Sequence, residues 1–396
     1  MVGKSKIVWN PHTSGYFDNP YDHLKACREE NPIHRILNDA WIFLRYSDVS
    51  QTLSSQDFMV SEFSQFLKEK EPYIFKHSDT CPYLSKGTKM WTMYLNDEVH
   101  KNARIGMTKS LNLNQLDEVM ANAVDEINEK HQLKSSFDLV SYCGEFIYLI
   151  LKWILGIRDL GSFETIKTYS NMLARVQDIY VPKQLYQKIN EWFLSGKNIF
   201  TESEFRQNLV NYSTKSGINY TEDEIYSITS LVLMAAFETS KDNLSVALWE
   251  IMKSEEIQNH VETCSKKELN LLIEELFRFS SPLQYTIRVN KNSLETESGI
   301  ISANSKIYLS LASANHDDTV FANPDKIVAG RTPNDHLAFG KGLHFCLGAT
   351  IARLELRYCL KPMVHLLKQY KVEGSPDWSK QIFMRTMNSA KISKNK

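Results

Sequence analysis

Six cysteines occur in the 396 residues, and no two of them form a Cys-x-x-Cys pair. Cys27, Cys81, Cys143, Cys264, Cys346 and Cys359 are spread along the chain. Such spacing makes a poor disulfide framework and excludes the common paired-thiol zinc and redox motifs. A reducing, cytoplasmic location is expected. Surplus charge is missing too: Lys and Arg number 46 against 47 Asp and Glu, a formal -1. No global field draws the chain to nucleic acid or an anionic membrane, and neither is expected as a partner. The N-terminal "MVGKSKIVWNPHTSGYF" lacks the continuous apolar core of a signal peptide. Residues 139–157, "LVSYCGEFIYLILKWILGI", come nearest to a membrane span. Glu145 and Lys152 interrupt them, so a buried helix is expected. Repeats, low-complexity tracts and linkers are also lacking, and a single domain over 1–396 is expected.

What is present is mostly helical pattern. "PIHRIL" and "AWIFLR" read as short strands of a hairpin across the "NDA" turn. "LDEVMANAVDEI" puts Leu116, Val119, Met120, Val124 and Ile127 on one face of a helix. Segments near 163–177 and 183–195 are also helical in pattern, with Pro182 as the break. "TEDE" offers Thr221 as an N-cap with Glu224 three residues on, a capping box. No Gly or Pro follows for three dozen residues, which predicts a helix from 221 to about 256. Ser265 and Glu268 form a second capping box ahead of "SKKELNLLIEELFRFS", which stops before Pro282. Strand-like "YTIRVN" and "KIYLSLAS" come next, then a glycine-rich loop and a helix from about 347. The fold class is mainly α with minor β, an α+β architecture with small sheets near both ends.

Three stretches carry chemistry. In "SLVLMAAFETSKDNLSVALWE", the apolar run of the long helix is interrupted by Glu238, Thr239 and Ser240. A buried hydroxyl and carboxylate need partners. Either the helix surfaces there, or Thr239 bonds back to the carbonyl four residues earlier, or Ala235 and Ala236 leave room for a ligand beside an acid and an alcohol. In "EELFR", Glu275 and Arg278 lie three apart and can pair. In "HLAFGKGLHFCLGATIARLE", Cys346 stands where the loop turns into a helix. "GKGLHF" is neither GxGxxG nor a Walker motif, which excludes a phosphate cradle. His336, His344 and Cys346 do not complete a zinc set. A plain buried cysteine remains one reading. The other is a thiolate favoured by the helix end, flanked by Phe339 and Phe345, serving as axial ligand to a flat apolar cofactor such as haem.

"FGKGLHFCLG" resembles the haem-binding loop of the cytochrome P-450 family, the general example of cysteine-ligated haem. Phe339, Gly340, Gly342, His344, Cys346 and Gly348 are in register, followed by Ala352 and Arg353. "EELFR" resembles that family's E-x-x-R helix, "AAFETS" its oxygen-binding stretch, and "DEVHKNAR" its H-x-x-x-R element. "ANHDDTVFANPDKIVAGR" resembles the segment leading to the haem loop. These elements stand in the family's order over about residues 97–353.

The resemblance implies a fold with a long central helix over haem b, and Cys346 as the iron ligand. It implies His100, Arg104, Arg288 and His344 at the haem propionates, with Phe339, Gly340 and Ala235 lining the cofactor. Glu275, Arg278 and Arg331 would form a structural ion network. Glu238 and Thr239 would deliver the two protons that splitting dioxygen requires, with the carboxylate reaching solvent for resupply. Ala236 replaces the glycine usual in the family. Phe58, Phe63, Phe66, Tyr73, Phe75, Trp91 and Tyr94 would wall a pocket for an apolar small molecule, free or carrier-tethered. With no reductase domain fused, electrons would come from NAD(P)H through a separate ferredoxin or flavodoxin and its reductase. That donor would dock on Lys101, Lys109, Lys341, Arg353, Arg357 and Lys361. The activity implied is monooxygenation. A peroxide-driven peroxygenase and a non-catalytic haem protein are the alternatives.

Overall fold

The computed structural model describes residues 7–36, 40–65, 67, 81–158, 161–179, 181–195 and 200–395. Six helices build the site: α1 Asp97–Ser110, α2 Leu116–His131, α3 Leu139–Leu155, α4 Glu222–Met252, α5 Lys266–Ser280 and α6 Ala349–Leu367. Helix α4 begins where its capping box places it. Thr221 Oγ1 accepts from the Glu224 amide, and the Glu224 carboxylate accepts from the Thr221 amide. The acidic first turn Glu222–Glu224 suits the positive helix end. Beyond that turn the helix is buried nearly all round, so it lies in the core rather than on it. It ends at Met252, short of the expected 256, because Ser254 starts a new helix by accepting from the Ile257 amide at 3.3 Å.

Helix α3, the tract that came nearest to a span, is a core helix capped by Asp138, whose Oδ1 accepts from the Ser141 amide at 2.7 Å. Among the described residues no helix is long and apolar enough to cross a membrane. Helix α2 buries Leu116, Met120, Val124 and Ile127 as its pattern requires.

A five-stranded sheet has the order β1 (Ile33–Arg35), β2 (Trp41–Phe43), β5 (Lys306–Ser310), β4 (Tyr285–Asn290), β3 (Phe58–Met59). The expected hairpin pairing is present, Ile33 opposite Phe43 and Arg35 opposite Trp41, although Asn38 and Asp39 of its turn lie outside the described residues. Arg288 on β4 pairs with Ile307 on β5. "KIYLSLAS" divides: the strand stops at Ser310, whose hydroxyl caps a short helix, Leu311–Asn315. Small sheets also form near the C-terminal end, one of them tying Lys391–Lys394 to Ser136–Asp138 and Tyr370–Val372. One hydrophobic cluster runs from Trp9 to Ile392, and a smaller one packs under the sheet.

Candidate functional site: a cysteine loop, a cluster of basic groups and a buried acid

The loop before α6 is held by its own backbone. The Gly340 amide donates to Leu337, the Phe345 amide to Gly342, and the Cys346 amide to the Phe339 carbonyl at 2.9 Å. Gly340 and Gly342 adopt φ of +67° and +70°, the left-handed region that disfavours side chains. At Gly342 the need is doubled, since a Cβ there would lie 2.5 Å from the Leu53 carbonyl oxygen. Phe339 packs on Phe277 of α5 with ring centroids 4.6 Å apart, and the Arg353 guanidinium lies over the Phe339 ring at 4.6 Å. Arg353 also grips Glu274 through two bonds of 2.6 and 2.7 Å, and His336 reaches the same carboxylate at 3.2 Å. Burial works against that charge, but Arg353 and then His336 hold Glu274 at about 2.

The Cys346 side chain is exposed, facing out from the loop, yet the surrounding protein is dense enough to push its thiol up. The Gly348 and Ala349 amides at the helix end, with Arg104 and Arg353, oppose that shift. The helix end therefore acts in the expected direction, and desolvation outweighs it.

Next to the loop four basic side chains meet. His100 and Arg104 stand one turn apart on α1, whose N-cap Asn96 is fixed to the Val60 backbone by two bonds of 3.1 and 2.8 Å. The His100 and His344 rings lie 4.3 Å apart. Arg104 donates to the Phe345 carbonyl at 2.8 Å, and buried Arg288 donates to the Thr286 hydroxyl and Ile287 carbonyl. Burial first, and then Arg104 and Arg288, lower His100 to about 4; burial, Arg288, His100 and Arg104 lower His344 to about 3. Burial alone brings Arg288 to about 10. Among the described residues no carboxylate pairs with any of the four, and both ring nitrogens of buried His100 lack a partner. Two guanidinium cations packed with two imidazoles and no anion are costly, and the arrangement suits an anionic group supplied from outside. That demand fits a haem, whose propionates are carboxylates and whose iron takes a thiolate, beside the lone thiol of Cys346. Among the described residues no three His, Cys, Asp or Glu side chains gather as a metal site of their own.

On α4, Ala235, Ala236 and Thr239 are half-buried, while Phe237 and Glu238 are closed in. By spacing, 235, 236 and 239 share the more open face. Thr239 Oγ1 donates back to the Ala235 carbonyl at 2.6 Å, one of the readings left open by the sequence. Glu238 departs from expectation. It is 0% exposed and does not reach solvent, because its Oε2 accepts from Lys241 Nζ at 2.9 Å on the helix's inner side. Lys241 and its second contact, Asp242 Oδ1 at 3.2 Å, were not singled out in the sequence, although "ETSK" carries the same three-residue spacing as "EELFR".

That second pair is buried as well. Arg278 makes two bonds of 2.8 and 2.9 Å to Glu275, Arg331 adds one at 2.8 Å, the Val328 amide one at 2.9 Å and Asn334 one at 3.3 Å. Of the aromatic residues, Phe63, Trp91 and Tyr94 cluster, with Phe63 5.9 Å from Trp91 and 5.1 Å from Tyr94. Phe58 joins the sheet's own core instead, and Phe66, Tyr73 and Phe75 lie outside the described residues. The six basic residues are unequal: Lys101 pairs with Glu98 and Arg353 with Glu274, whereas Arg357 bonds neutral Asn270 and Lys361 the Cys264 carbonyl.

A one-thiol loop, a basic cluster with no acid among the described residues and a long buried helix with an acid and an alcohol are features that a haem-thiolate site would use. The sequence profile described as cytochrome P450 matches residues 267–396. Over 419 aligned residues the chain is 24% identical to the polyketide biosynthesis cytochrome P450 PksS of Bacillus subtilis (strain 168), covering 99% of this chain and 100% of that one. It is 23% identical to the epothilone C/D epoxidase of Sorangium cellulosum, covering 98% and 96%. The fold matches the crystal structure of P450BioI in complex with hexadec-9Z-enoic acid ligated acyl carrier protein, with a TM-score of 0.84 at 20% identity, over 96% of this chain and 99% of that chain. The profile match and these relatives support a bacterial-type cytochrome P450. That family implies an oxidoreductase of the monooxygenase class that uses haem b and dioxygen.

Proposed function

We propose that the chain inserts one atom of dioxygen into an apolar intermediate of a biosynthetic or catabolic pathway, by hydroxylation or epoxidation. The observation that carries this reading is the cluster of His100, Arg104, Arg288 and His344, with no acid among them, beside the single thiol of Cys346. When bound, haem supplies the iron at which dioxygen is reduced and one oxygen atom is passed to substrate.

The residues do the rest. Cys346 would hold the iron through its thiolate, with Phe339 and Gly340 shaping the loop around it. The four basic groups would take the propionates, whose negative charge would offset the cost of placing Arg104 and Arg288 together and favour protonation of His100 and His344. Ala235 and Ala236 leave space along α4. Thr239 Oγ1, whose own proton goes to Ala235, offers lone pairs to a donor on the open face and can turn to donate. Glu238 supplies the proton from behind it.

Phe63, Trp91 and Tyr94 are the aromatic surface against which an apolar substrate would rest. Names of relatives point to polyketide-type compounds, and one fold neighbour is complexed with an acyl carrier protein, which supports a free or carrier-tethered substrate. Electrons come from NAD(P)H through a ferredoxin or flavodoxin and its reductase, in the cytoplasm, within the single domain of residues 1–396.

The test is the absorption spectrum of the reduced, haem-loaded protein under carbon monoxide. A strongly red-shifted Soret band is expected, and Cys346→Ser should remove it. A band at the position of histidine-ligated haem would overturn the assignment of Cys346. Turnover with hydrogen peroxide but none with a reductase chain would select the peroxygenase reading instead.

A further inference from the structure

Helix α4 buries three charged side chains within five residues: Glu238, Lys241 and Asp242, at 0%, 2% and 1% exposure. Lys241 Nζ lies 2.9 Å from Glu238 Oε2 and 3.2 Å from Asp242 Oδ1, and Thr386 donates to Asp242 Oδ2 at 2.6 Å. Two carboxylates against one ammonium leave a net negative charge on buried side chains. The hydrogen bonds are also incomplete, for Glu238 Oε1 has no donor and Asp242 Oδ1 meets only the off-line Lys241 ammonium. One added proton cures both defects: it neutralises the cluster and provides an O–H.

Among the described residues, the ionisable groups that α3 and α6 bring near this part of α4 are thiols and an acid whose neutral forms burial favours, and they add no cation to balance it. From α3, burial pushes the Cys143 thiol to about 12; from α6, burial raises Cys359 well above its ordinary value and Glu355 to about 8. The C-terminal segment contributes only the Thr386 hydroxyl, and α5 only the Ser280 hydroxyl, which donates to Asn243 at 2.6 Å.

We propose that Lys241 is a positioning residue that binds Glu238 and Asp242 into one unit storing a single proton, held inside the protein directly behind Thr239. The inference rests on the monooxygenase reading for the use of the proton, not for its existence. Transfer balances without a further reactant: Lys241 gives one proton to the Glu238 carboxylate and takes one from the Asp242 carboxylic acid, returning to ammonium. The proton thereby moves from the Thr386 side of the helix to the Thr239 side. Burial, the largest influence, brings Asp242 to about 7, with Lys241 opposing and Glu238 reinforcing it. For Lys241, burial is overcome by Asp242 and then Glu238, which keep it above its ordinary value.

The test is an infrared pH titration of the haem-loaded protein, in H2O and D2O, following the carbonyl stretch of a protonated carboxylic acid. Glu355→Gln serves as background to remove the acid on α6. One band titrating within about one unit of pH 7 is expected. Glu238→Gln and Asp242→Asn should each abolish it, because a lone carboxylate beside Lys241 stays ionised. Lys241→Met should move the titration up by one unit or more, a tenfold rise in proton affinity, and Lys241→Arg should restore it. A band that survives both carboxylate variants, or none in the parent, overturns the proposal whatever the carbon monoxide spectrum shows. A normal titration in protein lacking the thiolate spectrum would instead defeat the monooxygenase reading and leave the stored proton standing. Should Lys241→Met not fold, the two carboxylate variants decide alone.

Discussion

Glu355 and Glu274 carry the same side chain and respond to pH in opposite senses. Glu355 is buried on α6 with Oε2 unpartnered, and burial raises it from 4.5 to about 8 against a hydrogen bond from Ser240. A group raised by folding contributes its full stability below its unfolded value and loses it as pH climbs through the folded one. Between pH 4.5 and about 8, Glu355 therefore withdraws about 1.4 kcal/mol for each pH unit crossed. Glu355→Gln should flatten the decline in melting temperature over that window, read by calorimetry of the haem-loaded protein; an unchanged slope would show that Glu355 ionises freely. Glu274, held at about 2, contributes above its ordinary 4.5 and fades as pH falls toward 2. Glu274→Gln should thus cost stability at pH 7 and narrow the difference from the parent in acid. Neither behaviour is visible in the sequence, where both are ordinary helical glutamates. Depth decides which acid is paired and which is merely enclosed.

At the scale of elements, the loop before α6 depends on backbone shape more than on side-chain contacts. Gly340→Ala adds a methyl whose nearest neighbour is the His344 carbonyl at 3.7 Å, so only the positive φ resists it. Gly342→Ala faces the same φ and also the Leu53 oxygen at 2.5 Å, and one backbone or the other must move. Strain of about 1–3 kcal/mol accompanies a non-glycine residue held in such a region. Haem loss to excess apomyoglobin should accordingly be faster for Gly342→Ala than for Gly340→Ala. Equal rates would mean that the Leu53 contact is immaterial. The start of α4 was legible because a capping box is a local code, and Thr221 with Glu224 behaves as that code requires. Its end was not, since Ser254 stops one helix by starting another, and the sequence alone shows no Gly or Pro there. Glu238 was legible as an acid beside an alcohol. Its direction was hidden, because a lysine three residues on can reach outward on an exposed helix and only an enclosed one turns it inward.

For the whole molecule, a formal charge of -1 leaves donor docking to local fields. The basic residues proposed for that surface do not present equal charge. Lys101 is balanced by Glu98 at 3.3 Å, whereas Arg357 is anchored to neutral Asn270 at 3.1 Å and keeps its charge unspent. Reduction of the haem by an acidic plant-type ferredoxin should slow with added salt, and Arg357→Glu should slow it more than Lys101→Glu. Stopped-flow rates insensitive to salt and to both reversals would place the docking surface elsewhere.

The groups that meet around Cys346 come from distant parts of the chain: Leu53 beneath the loop, His100 and Arg104 on α1, Arg288 on β4 and His344 in the loop itself. A polypeptide still on the ribosome and lacking its final third owns the first two of those bases and neither the third nor the thiol. On the proposed site, pigment is captured only after translation has passed the last of them, and the growing chain stays colourless for most of its synthesis.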